Sequence, residues 1–164
     1  MRKPFTIFTA VVLLLWTTAA AWAQEQALVT LRSEVLREVE IIKEDGRKEL
    51  RLEPAPSAMP GEVLLFRITY TNEGAESAQN VQLTNPVPEH MVYEAGSAQG
   101  EGTAVTFSVD GGRTFENQAA LTISGEDGKV RPAGPADYTH IRWRLSEPIP
   151  RNREGTVSFR ARLK

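Results

Sequence analysis

The chain contains no cysteine and only two histidines, and these shortages exclude several kinds of chemistry. Without cysteine the protein has no disulfide, no thiolate metal ligand and no thiol nucleophile. His90 and His140 lie far apart in the sequence, whereas a zinc site needs three or four suitable ligands. We therefore predict no metal site and no cofactor.

Recognisable catalytic motifs are also lacking. The sequence has no G-x-S-x-G nucleophile elbow, so a serine hydrolase triad has no support. No pair of carboxylates stands out as the acid and base that a glycosidase requires. We predict no catalytic residue, and we expect that the protein is not an enzyme.

A strong charge of either sign is missing as well. The formal net charge of −2 gives no overall attraction to nucleic acid or to anionic lipid. We therefore expect no nucleic-acid partner, and any anion binding has to come from a local patch.

Long apolar runs are confined to the beginning of the chain. Arg2 and Lys3 precede a mostly apolar run, Phe5–Trp16, and small residues follow up to Ala23, which is typical of a cleavable secretory signal. A retained anchor is the alternative, but a run of about a dozen residues is short of the roughly 20 that span a bilayer. We expect a signal peptide of residues 1–23, export by the general secretory route and no stable membrane insertion after cleavage. Residues 24–164 then form one domain.

The remaining chain is dominated by strand patterns. Residues 27–43 fit both a helical spacing and a period of two, but the Asp45-Gly46 turn and the alternation of Leu50 and Leu52 favour a strand, a turn and a second strand. From Val63 onward the alternation is cleaner. The residues that we expect to face a core are Leu64, Phe66, Ile68, Tyr70, Val81, Leu83, Val105, Phe107, Val109, Ile141, Trp143, Leu145, Val157, Phe159, Ala161 and Leu163.

Turn residues separate these strands at intervals of about ten residues. Asn72 and Gly74 form one predicted structural turn, and Asp110, Gly111 and Gly112 form another. A further Glu-Asp-Gly turn is expected at 126–128. Short strands without a sustained helix indicate an all-β, immunoglobulin-like antiparallel β-sandwich. A small closed barrel is the alternative that the sequence leaves open.

The segment 60–96 resembles a known family. It contains Pro60-Gly61, an aromatic strand over Phe66–Tyr70, the Asn72-Glu73-Gly74 turn, a strand over Val81–Leu83, and Asn85 shortly before Pro88. This pattern is similar to the bacterial conserved-repeat domain catalogued as the eleventh domain of unknown function. Asn85 stands where that family usually has an aspartate. The resemblance implies an exported, immunoglobulin-like module of the periplasm or cell surface of a Gram-negative bacterium.

A second motif lies between Ser108 and Phe115 and resembles the Asp-box S-x-D-x-G-x-T-W of sialidase propellers. A propeller needs several blades of four strands, which this chain is too short to supply. We therefore interpret the motif as a turn, in which Asp110 accepts hydrogen bonds from turn amides and the glycines adopt positive φ.

One surface feature concerns possible partners. If the last two strands pair, five cations share one outer face: Arg142, Arg144, Arg160, Arg162 and Lys164. This strip is a possible contact for an anion or a partner, but a solvated outer face, whose charges are relieved by neighbours such as Glu147 and Glu154, is the interpretation that we prefer. We expect a non-catalytic envelope module that contacts a protein or an envelope polymer. A carbohydrate-binding or adhesion module that uses exposed aromatics or the basic face is the alternative.

Overall fold

The computed structural model describes residues 28–125 and 128–164, and within them the chain is all-β and antiparallel. The predicted signal peptide, its cleavage site and the first two residues of the 126–128 turn lie outside the described residues. The strands are β1 (Val29–Ile42), β2 (Lys48–Pro54), β3 (Val63–Asn72), β4 (Gln82–Pro86), β5 (Met91–Tyr93), β6 (Gln99–Gly100), β7 (Thr103–Ser108), β8 (Thr122–Ser124), β9 (Val130–Pro132), β10 (His140–Leu145) and β11 (Glu154–Leu163), with a 3-10 turn at Gln118–Ala120.

Two sheets face each other. The larger has the order β2-β1-β3-β11-β5, with β6 also paired to β11, and the smaller has the order β4-β10-β7. Strands β8 and β9 form a separate ribbon. The predicted all-β, antiparallel β-sandwich is therefore confirmed, and the last strand lies beside β3 in the larger sheet.

Aromatic side chains from both sheets fill the space between them. The ring centroids of Trp143 and Phe159 are 6.1 Å apart, and those of Tyr93 and Phe107 are 5.3 Å apart. Phe159 also stacks on Phe66 at 4.8 Å. These distances suit offset or tilted aromatic packing, and Trp143 and Phe159 are fully buried. Most of the predicted core residues are buried, which confirms the period-of-two argument.

The contacts also show how the sheets are aligned. The contact between Trp143 and Phe159 places β10 above β11, and the contact between Phe107 and Tyr93 places β7 above β5. Because β4 flanks β10 on the side away from β7, the strand order puts β4 above β3. No described strand of the smaller sheet then remains to cover β1 or β2.

The predicted Asn72 turn carries the chain from one sheet to the other. Asn72 is fully buried, and its side-chain amide donates to the carbonyls of Glu76 and Ile149 at 2.7 and 2.8 Å. Its Oδ1 accepts the N–H of Gly74 at 3.0 Å. Since β3 and β4 belong to different sheets, this side chain supplies the hydrogen bonds that a direct hairpin would have made between backbones.

Candidate interaction surface

The middle of the inner face of β1 is open to solvent, whereas Val29 at its start is half-buried against the core. Leu31 and Val35 lie opposite Tyr70 and Phe66 in the β1–β3 register, so they point to the same side of the sheet as these core residues. Even so, Leu31 is 58% exposed and Val35 is 37% exposed. The smaller sheet stops short of β1, so these two side chains, together with the half-buried Phe66, form what we call the open face.

Strand β1 then runs on beyond the sandwich. From Arg37 to Ile42 it pairs with β2 alone, and we call residues 37–53 the overhang. Its tip is tightened by Gly46, which has a φ of 78° and donates its N–H to the carbonyl of Lys43 at 2.8 Å. The Asp45-Gly46 hairpin was predicted, and the structure confirms it.

The overhang exposes apolar side chains among paired charges. Leu50 is 67% exposed and Ile42 is 71% exposed, although both alternate as core residues would. Lys48 forms an ion pair with Glu40 at 2.8 Å, and Lys43 pairs with Glu49. Such exposed pairs contribute little stability. Leu50 and Leu52 share one face as predicted, but solvent lies above that face.

On the outer side of β1, charged residues pair across strands. Glu34 accepts hydrogen bonds from Arg32 at 2.6 Å and from Arg67 at 3.0 and 3.1 Å. The hydrogen bond from Arg32 has the largest effect on the pKa of Glu34, and together with that from Arg67 it lowers this pKa below its ordinary value. Around Glu34 the outer side of β1 is therefore polar, whereas Leu36 on the same side is buried opposite Leu65.

The five predicted cations do not form one strip. Strand β10, which carries Arg142 and Arg144, lies in the smaller sheet, whereas β11, which carries the other three, lies in the larger sheet. The prediction was wrong in its premise, because the last two strands face each other across the core instead of pairing edge to edge. Their outward side chains therefore point to opposite sides of the molecule.

Most of these cations also have partners. The guanidinium of Arg142 lies 3.5 Å from the ring centroid of Phe115, a cation–π contact, and donates to Thr84 at 3.1 Å. Arg160 pairs with Glu38, and Arg162 donates to Glu94 at 2.9 Å and to the carbonyl of Gly61 at 3.0 Å. Lys164 approaches the carbonyl of Glu89 at 3.5 Å. These contacts weaken the case for an anion site.

The Asp-box segment is a hydrogen-bonded turn. One carboxylate oxygen of Asp110 accepts the N–H groups of Arg113 and Thr114 at 3.0 Å and the Ser108 hydroxyl at 2.7 Å. The other accepts the hydroxyl of Thr114 at 2.7 Å. These bonds, led by that from the Thr114 amide, hold the pKa of Asp110 well below its usual range. Gly111 and Gly112 have positive φ as predicted, so the structural interpretation of the motif is confirmed.

A cleft of about 790 Å³ lies at one end of the sandwich, beside the start of β11. Its lining includes Tyr70, Glu101, Glu147, Arg153 and Glu154. Burial, with a smaller contribution from Glu101, raises the pKa of Tyr70, so its phenol stays protonated at neutral pH and does not act as a base there. In the described part of the chain, no three His, Asp or Glu side chains are grouped to hold a metal ion.

The aromatic residues considered for sugar binding are mostly internal. Tyr93, Tyr138 and Trp143 are buried in the core, and Phe115 lies under the Arg142 guanidinium. These four side chains therefore do not form an exposed flat row. Trp143 also has a buried indole N–H without a hydrogen-bond partner, a consequence of its position deep in the apolar core.

Comparisons with protein-family models, curated proteins and solved structures find no match for this chain. The resemblance to the conserved-repeat domain stays a prediction. Within residues 28–125 and 128–164, the structure has no helix that is long and apolar enough to cross a membrane.

Sequence reasoning missed the open face, which is the largest departure from a closed sandwich. Leu31 and Val35 belong to the segment 27–43, for which the sequence pattern was used only to choose between a helix and a strand. The length of β1, which at 14 residues exceeds that of any other described strand, accounts for the overhang but not for the open face, because Leu31 and Val35 lie where β1 pairs with β3.

Proposed function

We propose that this chain is an exported, non-catalytic envelope module that binds another protein through the open face. The observation that carries the proposal is the exposure of Leu31 and Val35 on the core side of the larger sheet. Apolar groups on that side are normally covered by the opposite sheet, and a partner that covers them gains their transfer free energy. The export pattern at residues 1–23 supports an envelope location.

The partner that fits this surface presents apolar side chains of its own. The open face continues into Phe66, which stacks on Phe159, so a bound side chain contacts the edge of the core directly. The paired charges around Glu34 on the opposite side of β1 favour solvent instead. This difference between the two sides of one strand gives the test its control.

Photo-crosslinking in cells tests the proposal. A photoreactive amino acid is placed at position 31 or 35 on the open face, and at position 32, which points to the outer side, as the control. We expect discrete adducts from positions 31 and 35 and none from position 32. The mass of each adduct should differ from that of two crosslinked copies of the tagged chain, which would show that the partner is another protein. Adducts from all three positions alike, or from none, would overturn the proposal.

A second set of variants checks that the contact is apolar. With the crosslinker at Ser33, which shares the inner side with Leu31, the substitutions Leu31→Arg and Val35→Arg are expected to abolish the adduct. Because both positions are exposed, thermal stability should change little. Arg32→Glu is the matched control and should leave the adduct intact.

Carbohydrate binding has weaker support. The aromatics that the alternative needs are buried or covered by Arg142, and the basic residues are divided between two faces.

A further inference from the structure

The outer edge of β2 is an unpaired strand edge at the end of the larger sheet. The N–H of Lys43 donates to the carbonyl of Arg47, and that of Ala55 donates to the carbonyl of Val35, both at 2.9 Å. Hydrogen-bonded pairs alternate along an antiparallel ladder, so Glu49, Arg51 and Glu53 direct their peptide groups to β1. Lys48, Leu50 and Leu52 direct theirs outward.

The two edges of the smaller sheet are less open to pairing. On the outer side of β7, Phe107 and Glu116 exchange two backbone hydrogen bonds at 2.9 and 3.0 Å. Strand β4 ends at Pro86, whose carbonyl is occupied by the side chain of Asn85 at 2.8 Å. Proline and short strands protect an edge from pairing. With seven residues, β2 presents a longer free edge than these.

We propose that β2 pairs with β2 of a second copy of this chain, antiparallel and centred on Leu50. The inference goes beyond the proposed function, because it concerns a different surface and a different partner. In this register Leu50 lies opposite Leu50 of the second copy, and Lys48 lies opposite Leu52. All three residues have outward peptide groups, so each opposed pair forms two backbone hydrogen bonds.

The charges on β2 select this register. Glu49 lies opposite Arg51 of the second copy, and Arg47 lies opposite Glu53, which gives four attractive pairs across the two-fold axis. If the pairing were centred on Glu49 instead, Glu49 would lie opposite Glu49 of the second copy, and Arg47 would lie opposite Arg51 of the second copy. If it were centred on Arg51, Arg51 would lie opposite Arg51 of the second copy, and Glu49 would lie opposite Glu53 of the second copy. Both neighbouring registers therefore bring like charges together.

The apolar residues of the overhang also gain cover in this arrangement. Leu50 of each copy meets its counterpart, and Leu52 lies diagonal to it on the same face, within reach of a long side chain. Leu50 and Leu52 are exposed in the single chain. Pairing removes part of this surface from water.

Cysteine scanning tests the register, since the natural chain has no other thiol. With Leu50→Cys, the two introduced residues face each other with Cα atoms about 5.5 Å apart, within disulfide range. With Lys48→Cys or Leu52→Cys, the equivalent positions are four residues apart along the ladder, about 14 Å. We expect oxidation to give a covalent dimer for Leu50→Cys only. A maximum at another position, or none, would overturn the register.

Sedimentation equilibrium of the purified protein tests the association. We expect a reversible monomer–dimer equilibrium for the natural chain, and Arg51→Glu should weaken it about tenfold, because two attractive pairs become repulsive. The triple variant Lys43→Glu, Glu49→Arg, Arg51→Glu restores the cross-copy pairs and the hairpin's own Lys43–Glu49 pair with reversed signs, so it should restore association. Arg144→Glu, an exposed change on the smaller sheet, is the control and should have no effect.

A natural chain that stays monomeric up to about 1 mM, near the weak limit of specific association, would contradict the proposal, as would a triple variant that remains as weak as Arg51→Glu. Since these experiments use purified protein alone, their failure leaves the crosslinking test of the open face independent.

Discussion

Two parts of the larger sheet have the same side-chain alternation but differ in how far their apolar side chains are buried. Beneath the smaller sheet, β11 buries Val157, Phe159 and Ala161 almost completely. In the overhang, Ile42 and Leu50 alternate in the same way, but they lie on the outer side of the larger sheet, which no second sheet covers, and they remain exposed. The alternation of a strand therefore specifies which side chains share a face, and the presence of a second layer decides whether that face is a core.

This difference implies an uneven distribution of stability. The covered part combines aromatic packing with strand pairing on both sides, whereas the overhang is a two-stranded ribbon held by a turn and surface ion pairs. Isolated two-stranded ribbons are marginal in water. We therefore expect the overhang to open locally at a lower free energy than the sandwich.

The largest expected effect is the loss of a central aromatic ring. Phe159 is fully buried and contacts Phe66, Trp143 and Tyr93, so Phe159→Ala should lower the free energy of unfolding by about 3–5 kcal/mol. Ile42→Ala in the overhang is the control and should change it by about 0.5 kcal/mol or less. Urea denaturation measures both. Equal effects would show that the overhang is part of the cooperative core.

The next effect concerns the crossing between the sheets. Asn72→Ala leaves the buried carbonyl of Ile149 and the N–H of Gly74 without their side-chain partner, so we expect a loss of about 2–4 kcal/mol. Asn85→Ala removes a hydrogen bond at the surface and should cost about 0.5 kcal/mol or less. Chemical denaturation distinguishes the two, and similar losses would contradict a special role for the crossing.

Much of the covered part could be predicted from sequence because its determinants are local. Trp143 and Phe159 follow from alternation within one strand. The Asp110 turn follows from residues within a few positions of one another. Asn72 was recognised as a turn residue for the same reason, although the choice of sheet on either side of it depends on distant strands.

What the sequence did not reveal depends on non-local pairing. The five-cation strip assumed that consecutive strands β10 and β11 pair, but β11 lies between β3 and β5 instead. The open face of Leu31 and Val35 depends on the width of the smaller sheet, which no residue of β1 specifies. The ambiguity between sandwich and barrel had the same origin.

A smaller effect tests how closely the covered part is packed. A Cβ added to Gly155 would lie 2.3 Å from the hydroxyl oxygen of Tyr70, so Gly155→Ala should displace that ring and cost about 1–3 kcal/mol. The nearest atom to a Cβ at Gly134 is 3.8 Å away, and Gly134→Ala should be close to neutral. Thermal unfolding of both variants provides the comparison. A neutral Gly155→Ala would mean that the start of β11 can move as freely as the overhang.

The smallest effect is a dependence on pH that also separates the two parts. The folded-state pKa of Asp110 is lowered by its hydrogen bonds, whereas in the unfolded chain it returns to about 3.9. The unfolded chain therefore binds the proton more tightly, so this contribution to stability is complete above about pH 5 and declines as the pH falls through 4. With Asp110→Asn, the free energy of unfolding should therefore fall less steeply as the pH is lowered below about 5. Urea titrations at a series of pH values from about 5 downward measure this dependence. Arg47 also lowers the pKa of Asp45 at the tip of the overhang, but Asp45→Asn should leave global unfolding almost unchanged, because the tip opens before the sandwich. If both substitutions flatten the pH profile equally, the overhang and the covered sheet unfold as one unit and the comparison between them fails.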